Sequence, residues 1–106
     1  MEFHPRDVPA FKTYDVKDEG GAAEAAEDMV HLGFKGRKEG FRVIMPKADS
    51  KLAKRIGYAV TTGVTHGLRQ ASETRDIKYW TYHYDEGHYA IVLIGSGALE
   101  ELGLGD

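Results

Sequence analysis

Residues 77–94 read IKYWTYHYDEGHYAIVLI, and this stretch carries the strongest structural signal in the chain, that of a β-hairpin. Residues 77–84 are dense in aromatic and β-branched side chains, which favour strands. The loop Asp85-Glu86-Gly87 ends in glycine, as three-residue hairpin loops prefer. Residues 88–94 then predict the return strand.

Both faces of this hairpin are predicted to be apolar. The expected cross-strand pairs are Tyr84 with His88, Tyr82 with Ala90 and Trp80 with Val92 on one face, and His83 with Tyr89, Thr81 with Ile91 and Tyr79 with Leu93 on the other. Helices on one side of a two-layer domain can cover only one of these faces. If they cover the Ile91 face, the Trp80 face is either a platform for a protein, a small molecule or stacked bases, or is covered by the chain's own loops and ends.

Two helices are expected upstream. Residues 22–32 are rich in Ala and Glu, and Gly33 is well placed to end that helix. Residues 51–71 carry an apolar stripe at four-residue spacing, with Asp49 or Ser50 as the N-cap. Three glycines fall inside this second helix: Gly57, Gly63 and Gly67. Close packing of the helix on the sheet is the expected reason; a break near 61–63 or a backbone left bare for a ligand are the alternatives.

The remaining signals complete the predicted order. Residues 11–16 alternate as a strand does, and residues 34–45 predict a further hairpin in which Gly40 supplies a positive φ angle. Residues 98–102 predict a short C-terminal helical turn. The result is an α+β domain in βαββαββ order: two layers, a mostly antiparallel β-sheet, and two helices on one face. One domain is expected over residues 1–106, with an extended lead-in at 1–10 and a frayed tail at 97–106.

Composition narrows the class of protein. The chain of 106 residues has no cysteine, and its longest apolar run is far too short for a spanning helix. We therefore expect a soluble, cytoplasmic protein without disulfides and without contact with a membrane.

Charge is segregated along the chain although the formal net charge is only −3. Residues 1–34 and 56–106 are acidic, whereas residues 35–55 hold a basic block: Lys35, Arg37, Lys38, Arg42, Lys47, Lys51, Lys54 and Arg55. Such a block fits an acidic protein partner, the acidic first helix of a second copy, or phosphates of a nucleic acid. The chain's overall acidity and the lack of an RNA- or DNA-binding motif make the nucleic acid the alternative.

No motif predicts catalysis, and no metal or cofactor is expected. His83 and His88 flank the hairpin loop but point to opposite faces in the expected register, which weakens a shared metal site. Ser50, Ser72 and Ser96 lack the surroundings of a nucleophile. An enzyme with a His, Tyr or carboxylate site at residues 82–89 is a further alternative, less favoured than a protein without enzymatic activity.

The sequence thus predicts a small binding or regulatory module, of the inhibitor or adaptor type, that acts through protein contacts and self-associates as a homodimer in one variant of the hypothesis. The partner-binding residues are predicted on the aromatic hairpin and in the basic block: Trp80, Tyr82, Tyr84, His88, Arg37, Lys38, Arg42, Lys47, Lys51, Lys54 and Arg55.

Overall fold

Local sequence signals set where most helices and strands begin and end. The computed structural model of the protein describes residues 3–71 and 77–104. In chain order these residues form a 3-10 helical turn (Pro5–Asp7), β1 (Ala10–Asp15), α1 (Glu19–Leu32), β2 (Gly40–Pro46), α2 (Ser50–Gln70), β3 (Lys78–Asp85), β4 (His88–Ile94) and α3 (Ser96–Glu101). The expected mixed α+β class is confirmed.

The four strands form one mixed sheet in the order β1-β2-β4-β3. β1 runs parallel to β2, which the α1 crossover makes feasible, while β2 and β3 both pair antiparallel with β4. β1 and β3 are therefore the edge strands, and β3 lies next to β4, its partner in the hairpin.

Five of the six predicted hairpin pairs are present, from Tyr79 opposite Leu93 to His83 opposite Tyr89. The sixth is wrong: Asp85, not Tyr84, lies opposite His88, because the register shifts between His83 and Asp85. A bulge of this kind adds one residue to one strand and turns its end away from the ladder.

The main core lies between the helices and one face of the sheet. β2 contributes alternate residues, Phe41, Val43 and Met45, and β4 contributes Ile91 and Leu93; all are at most 2% exposed. α2 presents the predicted stripe, in which Ile56, Val60, Val64 and Leu68 are buried. Both long helices pack on this same face, as expected.

Side chains cap both long helices: Asp49 is one of the two caps predicted for α2, whereas α1 begins at Glu19, before the predicted start at residue 22. Asp18 accepts from the amide of Gly21 at 2.7 Å, and Gly33, with φ 80°, ends α1. Asp49 accepts from the amides of Lys51 and Leu52 at the start of α2.

Close packing explains the glycines of α2, which is continuous through residues 61–63. A Cβ atom at Gly63 would lie 2.8 Å from Cβ of Ala26, and one at Gly67 would lie 2.6 Å from Cγ2 of Val30, both on α1. At Gly57 the nearest atom would be Cδ1 of Ile91 at 3.2 Å. Close packing on the sheet is thus found at Gly57, whereas Gly63 and Gly67 pack against α1, a contact that the sequence did not predict.

Gly67→Ala is expected to destabilise the protein by about 1 kcal/mol, although alanine is the better helix former. Overpacking against the β-branched Val30 costs about 1–3 kcal/mol, more than the about 1 kcal/mol gained in helix propensity. The matched change Gly57→Ala meets only the terminal methyl group of Ile91, at 3.2 Å, and should leave stability equal or higher. Urea unfolding of both variants measures the difference, and a stabilised Gly67→Ala would contradict the packing argument.

The second face of the sheet is covered by the chain itself. Val8, Tyr82, Ala90, Val92, Ile94, Ala98 and Leu99 form a smaller buried cluster, at most 8% exposed, between the sheet, the N-terminal segment and α3. Phe3 packs on Trp80 with ring centroids 4.9 Å apart. The open aromatic platform is therefore not found on this face. The alternative expectation holds instead, since the chain's own ends cover it.

The expected hairpin at residues 34–45 is wrong. Phe34 is 1% exposed and packs on Phe41 at 5.0 Å, so the segment after α1 enters the core and does not form a strand. Gly40 has no positive φ; among residues 3–71 and 77–104 the glycines that do are Gly33, Gly36 and Gly103. A Cβ at Gly40 would lie 2.8 Å from the carbonyl oxygen of Leu93, which shows that close approach of strands selects glycine there.

The strand order is therefore βαβαββ followed by α3, with one strand fewer than expected. The lead-in also differs, since Pro5 opens a 3-10 turn, where its fixed φ suits the first position of a helix. Residues 1–2 and 105–106, the extremes of the predicted lead-in and tail, lie outside the described residues.

Candidate functional site

The helix-side surface of β3 is left uncovered. Tyr79, Thr81 and His83 point to the helix side, yet all three are exposed. Leu93 and Ile91, the β4 partners of Tyr79 and Thr81, are buried. α2 packs on β4 through Gly57 and does not extend over the edge strand. A strip of sheet surface beside α2 is therefore open.

A groove of about 360 Å³ runs along this strip between α2 and β3. We call it the tyrosine groove, and its lining residues are Tyr58, Thr61, Thr62, Thr65, His66, Arg69 and Tyr79. Tyr58 is 73% exposed and Tyr79 is 54% exposed, the two highest values among the large apolar side chains that the structure describes. Paired exposed aromatics beside a groove are typical of protein contact surfaces.

Arg69 is the charged side chain of the groove lining, and the helix that carries it has basic but no acidic residues. α2 contains Lys51, Lys54, Arg55 and Arg69 and no Asp or Glu. Arg55 is partly neutralised by Glu19, 2.6 Å away. The potential along the groove therefore favours an acidic ligand.

Threonine hydroxyls on the groove wall are already used as donors. Thr61 Oγ1 donates to the carbonyl of Gly57 at 3.0 Å, and Thr65 Oγ1 donates to the carbonyl of Thr61 at 2.9 Å. Their lone pairs remain able to accept hydrogen bonds, for example from main-chain amides of a ligand.

A second, more enclosed cavity of about 230 Å³ lies between the first turns of α2 and the sheet. We call it the α2–β4 cavity, and it is lined by Met45, Ser50, Ala53, Lys54, Gly57, Thr81, Tyr89 and Ile91. Most of its wall is apolar, and Lys54 supplies the one charged group of that lining.

The basic block does not form one surface. Arg42 lies on the second face, where Nε donates to Tyr82 Oη and Nη2 donates to the carbonyl of Val8, both at 2.8 Å. Arg37 stacks 3.8 Å above the ring of Phe11 and donates to the carbonyl of Gly33. Both guanidinium groups are therefore engaged in contacts within the chain.

The remaining residues of the block are divided among four places. Lys38 lies 3.9 Å from Glu101, on the side of α3. Lys47 donates to the carbonyl of Asp85 at 2.7 Å and lies 5.2 Å from the ring centroid of Tyr89. Three exposed members, Lys51, Lys54 and Arg55, are on α2. Lys35 is exposed in the segment after α1.

The predicted aromatic site residues are also separated. Tyr82 is 8% exposed and Trp80 is half-buried beneath Phe3, so neither presents a free ring. Tyr84, 42% exposed, lies at the end of β3. His88 is exposed, with Nδ1 2.8 Å from Oδ1 of Asp85.

The groups with shifted pKa values lie outside the tyrosine groove. The hydrogen bond from His88, aided by the Gly87 amide, holds the pKa of the Asp85 carboxyl below its usual range. At the other edge of the sheet, hydrogen bonds from Lys12 and Tyr14 lower the pKa of Asp28. Burial, together with the bond to Asp28, raises the pKa of the Tyr14 phenol. These contacts stabilise local structure.

The histidines and serines considered as site residues are dispersed in the described part of the chain. His83 stacks on Tyr89 at 5.2 Å, apart from the His88–Asp85 pair. No three His, Asp or Glu side chains among residues 3–71 and 77–104 come together as metal ligands. Ser50 lines the α2–β4 cavity and Ser96 begins α3, while Ser72 lies outside the described residues.

Sequence reasoning missed Tyr58, Tyr79 and Arg69 as site residues. The expected register placed Tyr79 on the face that the helices cover, and only the lateral position of α2 leaves it exposed. For Tyr58 a signal existed: an aromatic residue between the stripe positions Ile56 and Val60 must point away from that stripe.

Comparison with known proteins adds no family. No protein-family model, curated protein or solved structure matches this chain. In the described part of the chain, no helix combines the length and the apolar character required to cross a membrane.

Proposed function

We propose that this chain is a small non-enzymatic binding module that holds an acidic, extended segment of another protein in the tyrosine groove. The observation that carries the proposal is the exposure of Tyr58 and Tyr79 on opposite walls of a groove whose helix wall has no carboxylate. Tyrosines supply contact area with few rotatable bonds, and they are enriched among residues that dominate binding energies.

The position of β3 supports an extended ligand. An edge strand offers main-chain donors and acceptors on its outer side, and an extended segment can pair with them while its side chains reach the neighbouring groove. At one end this outer side is already occupied, since Arg6 donates to the carbonyl of His83 at 2.8 Å. The segment therefore pairs with the first residues of β3, beside Tyr79.

Charge supports an acidic protein segment over a nucleic acid. Arg37 and Arg42, which a phosphate backbone would need, are consumed by contacts within the chain. Arg69 remains exposed in the groove lining, and the exposed Lys51 lies farther along the same helix. They can steer an acidic segment and pair with it at the rim.

A peptide selection tests the proposal without knowledge of the natural partner. Random 12-residue peptides are displayed and selected on the full-length chain, and the enriched sequences are synthesised. We expect a net negative charge, bound peptide that shifts the NMR signals of residues 58–69 and 78–80, and weaker binding at high salt. Neutral or basic selected peptides, or shifts confined to another surface, would refute the proposal.

Tyr79→Ala is expected to weaken binding of the selected acidic peptide about tenfold, as loss of an aromatic contact commonly does. Tyr84→Ala is the matched control, because Tyr84 lies on the same strand and is similarly exposed but lies outside the tyrosine groove. Its affinity should change less than about twofold. Titration by fluorescence anisotropy measures both, and equal losses would remove the tyrosine groove from the proposal.

Two other outcomes would refute the acidic-segment proposal and support the nucleic-acid or homodimer alternative. A labelled single-stranded oligonucleotide that binds at physiological salt and is displaced by the peptide would identify a nucleic-acid site. Concentration-dependent dimerisation in sedimentation, abolished by Tyr79→Ala, would identify a second copy of the chain as the occupant.

A further inference from the structure

The α2–β4 cavity differs from the tyrosine groove in shape and chemistry. It is narrower, about 230 Å³ against about 360 Å³, and it reaches under α2 to Met45 and Ile91 of the buried core face. Gly57 and Ala53 form its helix wall, where small side chains leave the space. A cavity that reaches a well-packed core face is space that a ligand can fill.

The polar groups of the cavity are few and are dominated by donors. Lys54 carries an ammonium, and Ser50, Thr81 and Tyr89 carry hydroxyls. A further cation, Lys47, lies against the ring of Tyr89, at 5.2 Å from its centroid. No carboxylate belongs to the lining. The nearby Asp49 is engaged as the N-cap of α2, where it accepts from two amides.

We infer that the α2–β4 cavity binds a small carboxylic acid with an apolar body, the carboxylate at Lys54 and the body against Ala53, Met45 and Ile91. The apolar wall suits the body, and the single lysine with its neighbouring hydroxyls suits one monovalent anionic group. A phosphate dianion fits less well, since its three oxygens require more donors than one ammonium provides.

Size restricts the ligand further. Sites for drug-sized ligands measure about 300–1,000 Å³, so this cavity takes a smaller molecule, on the scale of 3-phenylpropionate or hexanoate. The inference does not depend on the acidic segment, because the groups that it uses differ from Tyr58 and Tyr79.

An NMR titration of the full-length, ¹⁵N-labelled chain tests the inference with sodium 3-phenylpropionate as the probe. We expect saturable shifts at Ala53, Gly57, Thr81 and Tyr89, which surround the cavity. The neutral analogue 3-phenylpropan-1-ol should bind about tenfold or more weakly, because it lacks the charge. Equal affinity for acid and alcohol, or shifts elsewhere in the chain, would overturn the inference.

Variants separate the charge from the cavity. Lys54→Gln should weaken binding of the acid about tenfold and leave binding of the alcohol unchanged. Lys51→Gln, on the same helix but outside the cavity lining, is the matched control and should leave both unchanged. If Lys54→Gln and Lys51→Gln behave alike, the assigned anion position is wrong.

Filling the cavity gives a second, independent readout. Ala53→Leu places a branched side chain in the space and should abolish the shifts with both probes. Circular dichroism verifies that Ala53→Leu is folded. If it is unfolded, the comparison of Lys54→Gln with Lys51→Gln tests the inference by itself. Tyr79→Ala should leave binding of 3-phenylpropionate intact, so failure of the acidic-segment proposal and failure of this inference are distinguishable.

Discussion

Replacing Phe41 by alanine is expected to lower the free energy of unfolding by about 3–5 kcal/mol. Phe41 is fully buried in β2, between β1 on one side and β4 on the other. Its ring contacts those of Phe34, Tyr14 and Phe11, at centroid distances of 5.0, 6.4 and 6.0 Å. Truncation would remove the ring that these three share and leave a cavity that the rigid sheet cannot close.

Urea denaturation followed by far-UV circular dichroism measures this loss. Tyr58→Ala serves as the control, because it also removes an aromatic ring but from a side chain that is 73% exposed, and it should change stability by no more than about 0.5 kcal/mol. A loss of less than about 1 kcal/mol for Phe41→Ala would mean that the aromatic cluster at β1 and β2 does not hold the sheet together.

Features with a short sequence period were predictable. The hairpin of β3 and β4 is predictable because a three-residue loop separates its strands. The position of that loop determines the register of the cross-strand pairs. The buried stripe of α2 was recognised because residues four apart share a helix face. In both cases the information lies within about twenty residues of the sequence.

The pairing of β1 with β2 was not predictable in this way. This pairing joins residues about thirty positions apart. Gly40, the residue that marks the close approach of the strands, is equally compatible with a tight turn. Phe34 is ambiguous in the same way. An aromatic residue directly after a helix is typical of the start of a strand, yet Phe34 lies outside the strands and its side chain is buried in the core. Only the tertiary contact with Phe41 distinguishes these readings.

The candidate site was the least predictable part. The sequence shows that both faces of the β3–β4 hairpin are apolar, but not that α2 leaves the edge strand bare or that α3 and residues 3–9 cover the opposite face. Those facts depend on where a helix lies across a sheet, which no local pattern encodes. The charge pattern has the same limit, because residues 35–55 are contiguous in sequence while Arg42 and the cations of α2 lie on opposite faces of the sheet.

Arg42→Met is expected to destabilise the protein by about 2–3 kcal/mol, which would identify this cation as structural. Methionine preserves the length and apolar stem of the side chain but removes the donors to Tyr82 Oη and to the carbonyl of Val8. Hydrogen bonds to a charged group contribute about 1.5–3 kcal/mol, and an acceptor left unpaired beneath the N-terminal segment keeps its desolvation cost.

The same change should loosen the cover over the second face, and the chain's single tryptophan reports it. Trp80 is shielded by Phe3, and Arg42 fastens the segment that carries Phe3 through Val8. Acrylamide should therefore quench Trp80 more efficiently in Arg42→Met than in the wild-type chain under native conditions. Lys51→Met is the control: it removes an exposed member of the same basic block and should leave both stability and quenching unchanged. Were the two variants indistinguishable, Arg42 would be a surface cation after all, and the basic block would again be a candidate for contact with phosphates.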